Sequence, residues 1–345
     1  MDKSVTVKTI EKHRKFWELT NKEPLVAVIP FSGFCKKPYP VKGGRYIIDP
    51  ERVLPEDMDI DRLIGMGKSN PEPFNGDMAN FAGCLYPEAW MEAFIGCSIY
   101  ASAFSCSSKQ VSQDNESAID KFTVEGALKS KWFKVMKSVI KKLIIKAGND
   151  LPVRQLHFRG IIDMLAGFMG EEKLCFSIYD FPEKVAELAD KFADLFIQTV
   201  QKTIDMRQPW EGGYVSALGV LAPGPVLDYQ IDASNLFSLD TYRKHFLKFD
   251  KKVIEKFPYS VIHLHTCGLH ILDAVLEITN LNSVEITIEK ETGVFKKDLI
   301  LESCKKIQAA SKSVILIGEL SEDELDEFMK KLNLAGLAIF YWKPV

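Results

Sequence analysis

Short runs of apolar and β-branched residues recur along the chain, separated by longer stretches in which apolar residues return every three or four positions. Runs of the first kind fit buried parallel strands, and stretches of the second kind fit the amphipathic helices that cross between them. Eight segments read as strands: 25–30 (LVAVIP), 98–104 (SIYASAF), 152–158 (PVRQLHF), 213–218 (GYVSAL), 261–266 (VIHLHT), 283–289 (SVEITIE), 314–320 (VILIGEL) and 336–341 (GLAIFY). Helices are predicted over 127–144, 181–204, 239–257, 269–278 and 322–332, with Ser321 and Asp180 as N-caps before acidic first turns. Eight strands alternating with helices close most simply into a single (β/α)8 TIM barrel. An open doubly wound sheet is the alternative, but no glycine-rich phosphate loop follows the first strand. Residues 33–90, rich in Pro, Gly and Asn, predict an irregular N-terminal extension over the barrel mouth. No repeat or linker divides the chain, so residues 1–345 are expected to form one domain, with 1–90 as the first strand and its extension.

Strand alternation then selects the side chains that face the interior. In 283–289, Val284, Ile286 and Ile288 face the helices, which turns Glu285, Thr287 and Glu289 inward. In 314–320, Glu319 shares the inner face with Ile315 and Ile317. In 261–266, Ile262 and Leu264 face outward, so His263, His265 and Cys267 face inward. Active sites of barrels lie at the C-terminal strand ends, and here three neighbouring strands bring two imidazoles, a thiol and up to three carboxylates to one mouth. Burying that many titratable groups is costly unless they are paired or bind something. His265 and Cys267 make a zinc half-site, since both are preferred zinc ligands on one face of a strand end. The competing reading makes His263 and His265 core histidines bonded to carboxylates, and Cys267 a small filler. His263 lies one pleat deeper and suits a supporting or substrate-binding role, while His270 belongs to the following helix.

The composition adds exclusions. A net charge of −3 and a pI near 6.1 leave no basic surplus to neutralise phosphates, which argues against nucleic acid as a partner. No apolar stretch reaches membrane-span length and residues 1–20 are charged and amphipathic, so no membrane partner is expected and the cytoplasm is the default location. The seven cysteines (35, 84, 97, 106, 175, 267 and 304) are odd in number and scattered, which predicts free thiols.

The His-x-Cys-Gly pattern at a strand end, followed by a helix, resembles the zinc-binding segment of the methyltransferase branch of the uroporphyrinogen decarboxylase superfamily. That branch includes methylcobamide:coenzyme M methyltransferases, and cobalamin-independent methionine synthase is more distantly similar. The segments 158–170 (FRGIIDMLAGFMG), 176–188, 230–253 and 318–320 (GEL) fit the same superfamily, so the likeness runs from about residue 88 to the end. Two departures stand out. The arginine-rich Arg-Gln-Ala-Gly-Arg-Tyr segment of true decarboxylases is missing after the first strand, where 30–40 reads PFSGFCKKPYP. The cysteine that follows the last strand in the coenzyme M enzymes is missing too, since 336–345 reads GLAIFYWKPV.

The resemblance implies one zinc per chain on His265 and Cys267, with Glu319 or Glu289 as the third ligand and Glu285 as a further candidate. It implies transfer of a methyl group between a corrinoid and a small thiol, ether or amine. The corrinoid would be a co-substrate on a partner corrinoid-binding protein, as the chain has no Asp-x-His-x-x-Gly motif of its own. Gln230, Asp232 and Ser234 would face the mouth, with Asp232 as the hydrogen-bonding or proton-transfer residue. An N-cap role for Asp232 or Ser234 is the other account. Arg159 and Asp163 either contact substrate or pair with each other. Phe104, Ser105 and Cys106 end the second predicted strand, with Cys106 a pocket thiol or packing. Tyr341 and Trp342 form an aromatic wall for a tetrapyrrole, or simply close the barrel. A metal-free decarboxylase and a non-catalytic tetrapyrrole- or small-molecule-binding barrel remain alternatives, and the apolar helix faces leave room for a homodimer.

Overall fold

The computed structural model describes residues 3–29, 38–66, 74–84, 89–103, 105–111, 115–290 and 296–344. Its centre is a six-stranded parallel sheet of β1 (Leu25–Val28), β2 (Val226–Gln230), β3 (Tyr259–His265), β4 (Ser283–Ile288), β5 (Ser313–Glu319) and β6 (Leu337–Trp342), in the order β1-β6-β5-β4-β3-β2. Among its helices are α1 (Lys3–Trp17), α2 (Lys131–Ala147), α3 (Ile161–Met169), α4 (Glu171–Asp180), α5 (Pro182–Met206), α6 (Leu239–His245), α7 (Leu247–Ile254), α8 (Lys297–Ala309) and α9 (Glu322–Lys331). Outward residues of the sheet, among them Ile262, Leu264, Val284, Ile286 and Ile288, join the helices in the main core. Phe16, Leu25, Ala27, Val261, Ile315, Ile317, Ala338, Phe340 and Trp342 form a second core on the inner face.

The inner face is divided by chemistry. Register places Gln230 beside His263 and His263 beside Glu285, with His265 beside Thr287, so β2, β3 and β4 present a polar quarter. Across β5, β6 and β1 the corresponding residues are Ile315, Ile317, Ala338, Phe340, Leu25 and Ala27. The chemistry therefore sits over one side of the sheet only.

Among the described residues a closed eight-stranded barrel is not formed. Of the remaining predicted strands, Ser98–Ala101 pairs antiparallel with Glu51–Val53 and Cys106–Lys109, and Tyr214–Val215 makes a two-residue antiparallel pair with Leu221–Ala222. Phe104 and Cys35 lie outside the described residues. Segment 152–158 forms no strand. It meets its neighbours through single parallel bridges, Ala82 with Val153 and Arg159 with Gln230. Part of the reason is Gln155, whose side-chain amide donates to Asp228 O at 3.1 Å and accepts from Asp228 N at 3.3 Å, taking the place of ladder bonds. On the other edge, Asp77 N donates to Val26 O at 2.9 Å. Within the six-stranded sheet the unpredicted strand is β2, where a buried aspartate interrupts the apolar run.

Several helix boundaries also differ. The stretch 239–257 breaks at Phe246, whose φ of −120° leaves the helical region. The stretch 127–144 splits at Ser130, which caps α2 by accepting from Phe133 N at 3.1 Å. Ser321 caps α9 as expected, through a reciprocal capping box with Glu324. Asp180 does not cap: it ends α4, and Phe181 takes the N-cap position ahead of Pro182. Residues 266–271 form a 3-10 turn before the short helix Leu272–Val275, so β3 ends at His265.

Helix α1 is fastened at Asp77. The Asp77 carboxylate accepts from Lys12 Nζ at 2.6 Å and from Val26 N at 2.9 Å. Leu221 N donates to His13 Nδ1 at 2.9 Å, so Nε2 carries the proton and donates to Asp77 O at 2.6 Å. His13 is fully buried and held neutral. Burial pushes it down to about 4, against the pull of Asp77. An unfolded histidine titrates near 6.5. The unfolded chain therefore binds more protons between these values, and the stability His13 contributes is complete above about 6.5 and lost as pH falls towards 4. The upper bound is about 3 kcal/mol. Urea midpoints of the wild type should drop from pH 7.5 to pH 5 by more than those of His13→Gln. A His13 ring signal titrating near 6.5 in the folded protein would contradict this.

Candidate functional site

The site is built on the end of β3. His263 Nδ1 bonds Glu285 Oε2, and the other Glu285 oxygen accepts from Thr287 Oγ1 at 2.8 Å. Glu285 has no solvent exposure, so both of its oxygens are matched from within the sheet. His265 Nδ1 lies 3.1 Å from Glu289 Oε1. Each imidazole thus has a carboxylate at Nδ1 and presents Nε2 to the same space. Their rings stand perpendicular, with centroids 4.6 Å apart.

Asp232 completes the group from the 3-10 turn Asp232–Leu236 that follows β2. Its Oδ1 lies 3.7 Å from His263 Nε2 and 3.7 Å from His265 Nε2. That separation is too long for a hydrogen bond, and both Asp232 Oδ1 and His263 Nε2 are buried without a hydrogen-bond partner. One nitrogen from each histidine and one oxygen from the aspartate lie within 4.8 Å of one another. Two imidazoles and a carboxylate are a preferred zinc donor set, and a carboxylate behind each imidazole is the usual support of metal-binding histidines.

The electrostatics follow from burial and crowding. Burial opposes charge on His263, but Glu285, Asp232 and Asp163 outweigh it and carry the imidazole up to about 9. Burial and the Asp232 charge push Asp163 well above the usual carboxylate range, against the amide of Ala233 and the Arg159 cation. Asp163 accepts from Ala233 N at 2.6 Å and from Asp232 N at 3.2 Å.

Of the residues singled out in the sequence, His263, His265, Asp232, Glu285 and Glu289 are brought together. Cys267 is exposed in the 3-10 turn and stands outside the group. Glu319 lies 4.0 Å from Lys290 Nζ, which is closer to Glu324 at 2.5 Å. Gln230 accepts from Gly160 N at 2.8 Å through its backbone, and Ser234 is buried with its hydroxyl unpartnered. Neither Asp232 nor Ser234 is an N-cap, since Ile231 holds that position. Trp342 joins the inner core, whereas Tyr341 packs on the helix side, so an inward wall of both rings is not formed. Cys106 is buried.

Arg159 and Asp163 do not make the expected ion pair. Arg159 Nη1 binds Glu92 Oε1 at 2.9 Å and Nη2 donates to Cys106 O at 3.1 Å. Glu92 comes from the short helix Trp90–Phe94, and nothing in its local pattern marks it as a partner. His157 is a second omission. Burial, Arg154 and His263 together push it down to about 3, leaving a neutral imidazole near His263. Its spacing of two from Arg159 was a usable signal.

A scan against protein-family models finds no match, and a search of curated proteins finds none. Among solved structures, a methyltransferase from Methanosarcina mazei matches with a TM-score of 0.55 and 13% identity, over 74% of this chain and 72% of that chain. The likeness is one of fold.

Glu92 is 1% exposed as a side chain and depends on Arg159 for compensation. Arg159→Met should lower stability by about 2–3 kcal/mol by stranding the carboxylate, and Glu92→Gln in the same chain should recover part of the loss. Urea unfolding of both variants checks this; equal losses in the single and double variants would show that the pair is not coupled.

Proposed function

We propose that the strand-end group is the zinc centre of a methyltransferase on a TIM-barrel frame related to the uroporphyrinogen decarboxylase superfamily. The observation that carries the reading is the convergence of His263 Nε2, His265 Nε2 and the unpartnered Asp232 Oδ1, with His263 hydrogen-bonded to Glu285 and Glu289 Oε1 3.1 Å from His265 Nδ1. The fold shared with a methyltransferase supports the reaction class. The reaction moves a methyl group between a methylcobamide carried by a corrinoid-binding partner and a small thiol, ether or amine. In the thiol direction the substrate would lose its proton to solvent, and its sulfur would form the S–C bond as the Co–C bond of the co-substrate breaks, with that electron pair left on cobalt.

The chain's own residues prepare the centre. Glu285 holds the Nδ1 proton of His263 and Glu289 faces Nδ1 of His265, so both Nε2 atoms point at one place, where a metal would take the position of the Nε2 proton of the charged His263. Thr287 fixes Glu285 by occupying its second oxygen. A zinc bound by these residues supplies Lewis acidity that favours the thiolate form of a thiol substrate. The apolar inner residues Phe340, Ile317 and Trp342 exclude water from the opposite side of the sheet interior. Cys267, close in sequence but exposed, is the alternative donor to Asp232.

Elemental analysis after zinc reconstitution tests the centre, with expected content of about one zinc per chain. Asp232→Ala and His265→Ala should lose it, and Cys267→Ala should retain it. Loss in Cys267→Ala with retention in Asp232→Ala would move the site to the His265–Cys267 pair. Demethylation of free methylcobalamin by a thiol, followed by its visible spectrum, should be faster with zinc-loaded protein and return to background in Asp232→Ala. Folded protein that takes up no zinc would sink the reading.

A further inference from the structure

We infer that Asp163 is the positioning residue that aims Asp232 at the two imidazoles, by holding two consecutive amides of the turn that carries it. The consequence for metal affinity rests on the zinc reading above; the geometry does not.

Asp232 is the one member of the group that no strand places. It opens a 3-10 turn after β2, and its own Oδ1 has no hydrogen-bond partner to fix the side chain. The N-cap residue of that turn, Ile231, offers no side-chain acceptor, so the first amides of the turn need one from elsewhere. Asp163 supplies it from another segment. Oδ1 accepts from Ala233 N at 2.6 Å and Oδ2 from Asp232 N at 3.2 Å. Both carboxylate oxygens are committed to the backbone of the residue that faces the histidines and of its neighbour.

The helix start that carries Asp163 is held to β2 by one backbone and one side-chain contact. Asp163 lies in the first turn of α3, whose approach to β2 is fixed by Gly160 N to Gln230 O at 2.8 Å and by Ile161 N to Tyr229 Oη at 3.1 Å. The approach requires glycine: a Cβ at position 160 would lie 2.5 Å from Gln230 O and 2.6 Å from Tyr229 Cζ. Tyr229 is anchored in turn to Asp250, which also accepts from Tyr242 Oη at 2.6 Å. The segments 160–163 and 229–233 are therefore joined at successive points, and the last of them sets the backbone of Asp232. Asp163 makes no hydrogen bond or ion pair with either imidazole; its direct contacts are with the amides of Asp232 and Ala233, and beyond them only its field reaches His263.

Hydrogen–deuterium exchange of metal-free protein, together with zinc affinity measured by competition with a chromophoric chelator, tests this on wild type, Asp163→Ala and Asp163→Asn. Asp163→Ala should speed exchange in the 231–236 peptide and weaken zinc binding about 10–100-fold. Asp163→Asn retains one acceptor oxygen and should fall between the two; if the alanine variant does not fold, the asparagine variant carries both readouts. Acceleration spread over the whole chain, rather than confined to this turn, would mark a merely structural role and overturn the proposal, as would unchanged zinc affinity in a wild type that binds zinc. If wild type binds no zinc, the metal reading falls and exchange decides alone: faster exchange at 231–236 in the variants upholds the positioning, and unchanged exchange overturns it.

Discussion

Glu285 is a carboxylate with no solvent exposure in the middle of a parallel strand. Such a group costs several kcal/mol unless its charge and both its oxygens are matched. The matching comes from His263 on the adjacent strand and Thr287 on its own, so the polar cost of the sheet interior is met by the residues that form the site. The register of β3 against β4 follows from the same contact. A slip of one residue would place Ile262 or Leu264 against Glu285 and turn both imidazoles into the helix layer. The pairing that makes Glu285 tolerable also turns Nε2 of His263 towards Asp232.

The rest of the inner face shows why the chemistry is confined. Ile315, Ile317, Phe340 and Trp342 fill the interior beside β5 and β6, so no titratable group is needed there and none is buried among those four. Charge is kept to the β2–β4 side and to the segments that approach it, where Arg159, Glu92 and Asp163 form a connected set. On the far edge, Asp77 plays the corresponding part for α1, accepting from Lys12, Val26 and His13. The two edges are organised by different rules: around β2 the buried charges compensate one another, and around α1 a neutral histidine bridges two backbone groups.

The inner and outer faces of β3, β4 and β5 were legible in the sequence, because period-two alternation with one face buried leaves a single consistent register. His263, His265 and Glu285 follow from that alone, and Glu289, one residue past the end of β4, keeps to the same side. Cys267 did not follow. It lies two residues past the end of β3, where the backbone changes to a 3-10 turn and strand parity no longer applies. Segments 98–104 and 213–218 have the composition of strands and are partly strands, but whether a short strand pairs parallel or antiparallel depends on partners distant in the chain. The Glu92–Arg159 pair spans 67 positions and belongs to two elements whose approach is set by tertiary packing, so no local pattern announces it.

Asp232 shows the limit most clearly. In the sequence it is one of three polar residues in a loop, equally suited to capping a helix or bonding a substrate. Its place in the structure is decided by Asp163, 69 positions earlier, through backbone amides that carry no side-chain signature. Strands can bring two side chains to a common point because pleat and register fix their directions together. The third group comes from a turn, and the amides of that turn are taken up by another element. The polar group is therefore a property of three segments at once: β3 for the imidazoles, β4 for the carboxylate under His263, and the Asp232 turn, held by Asp163, for the carboxylate that faces both rings.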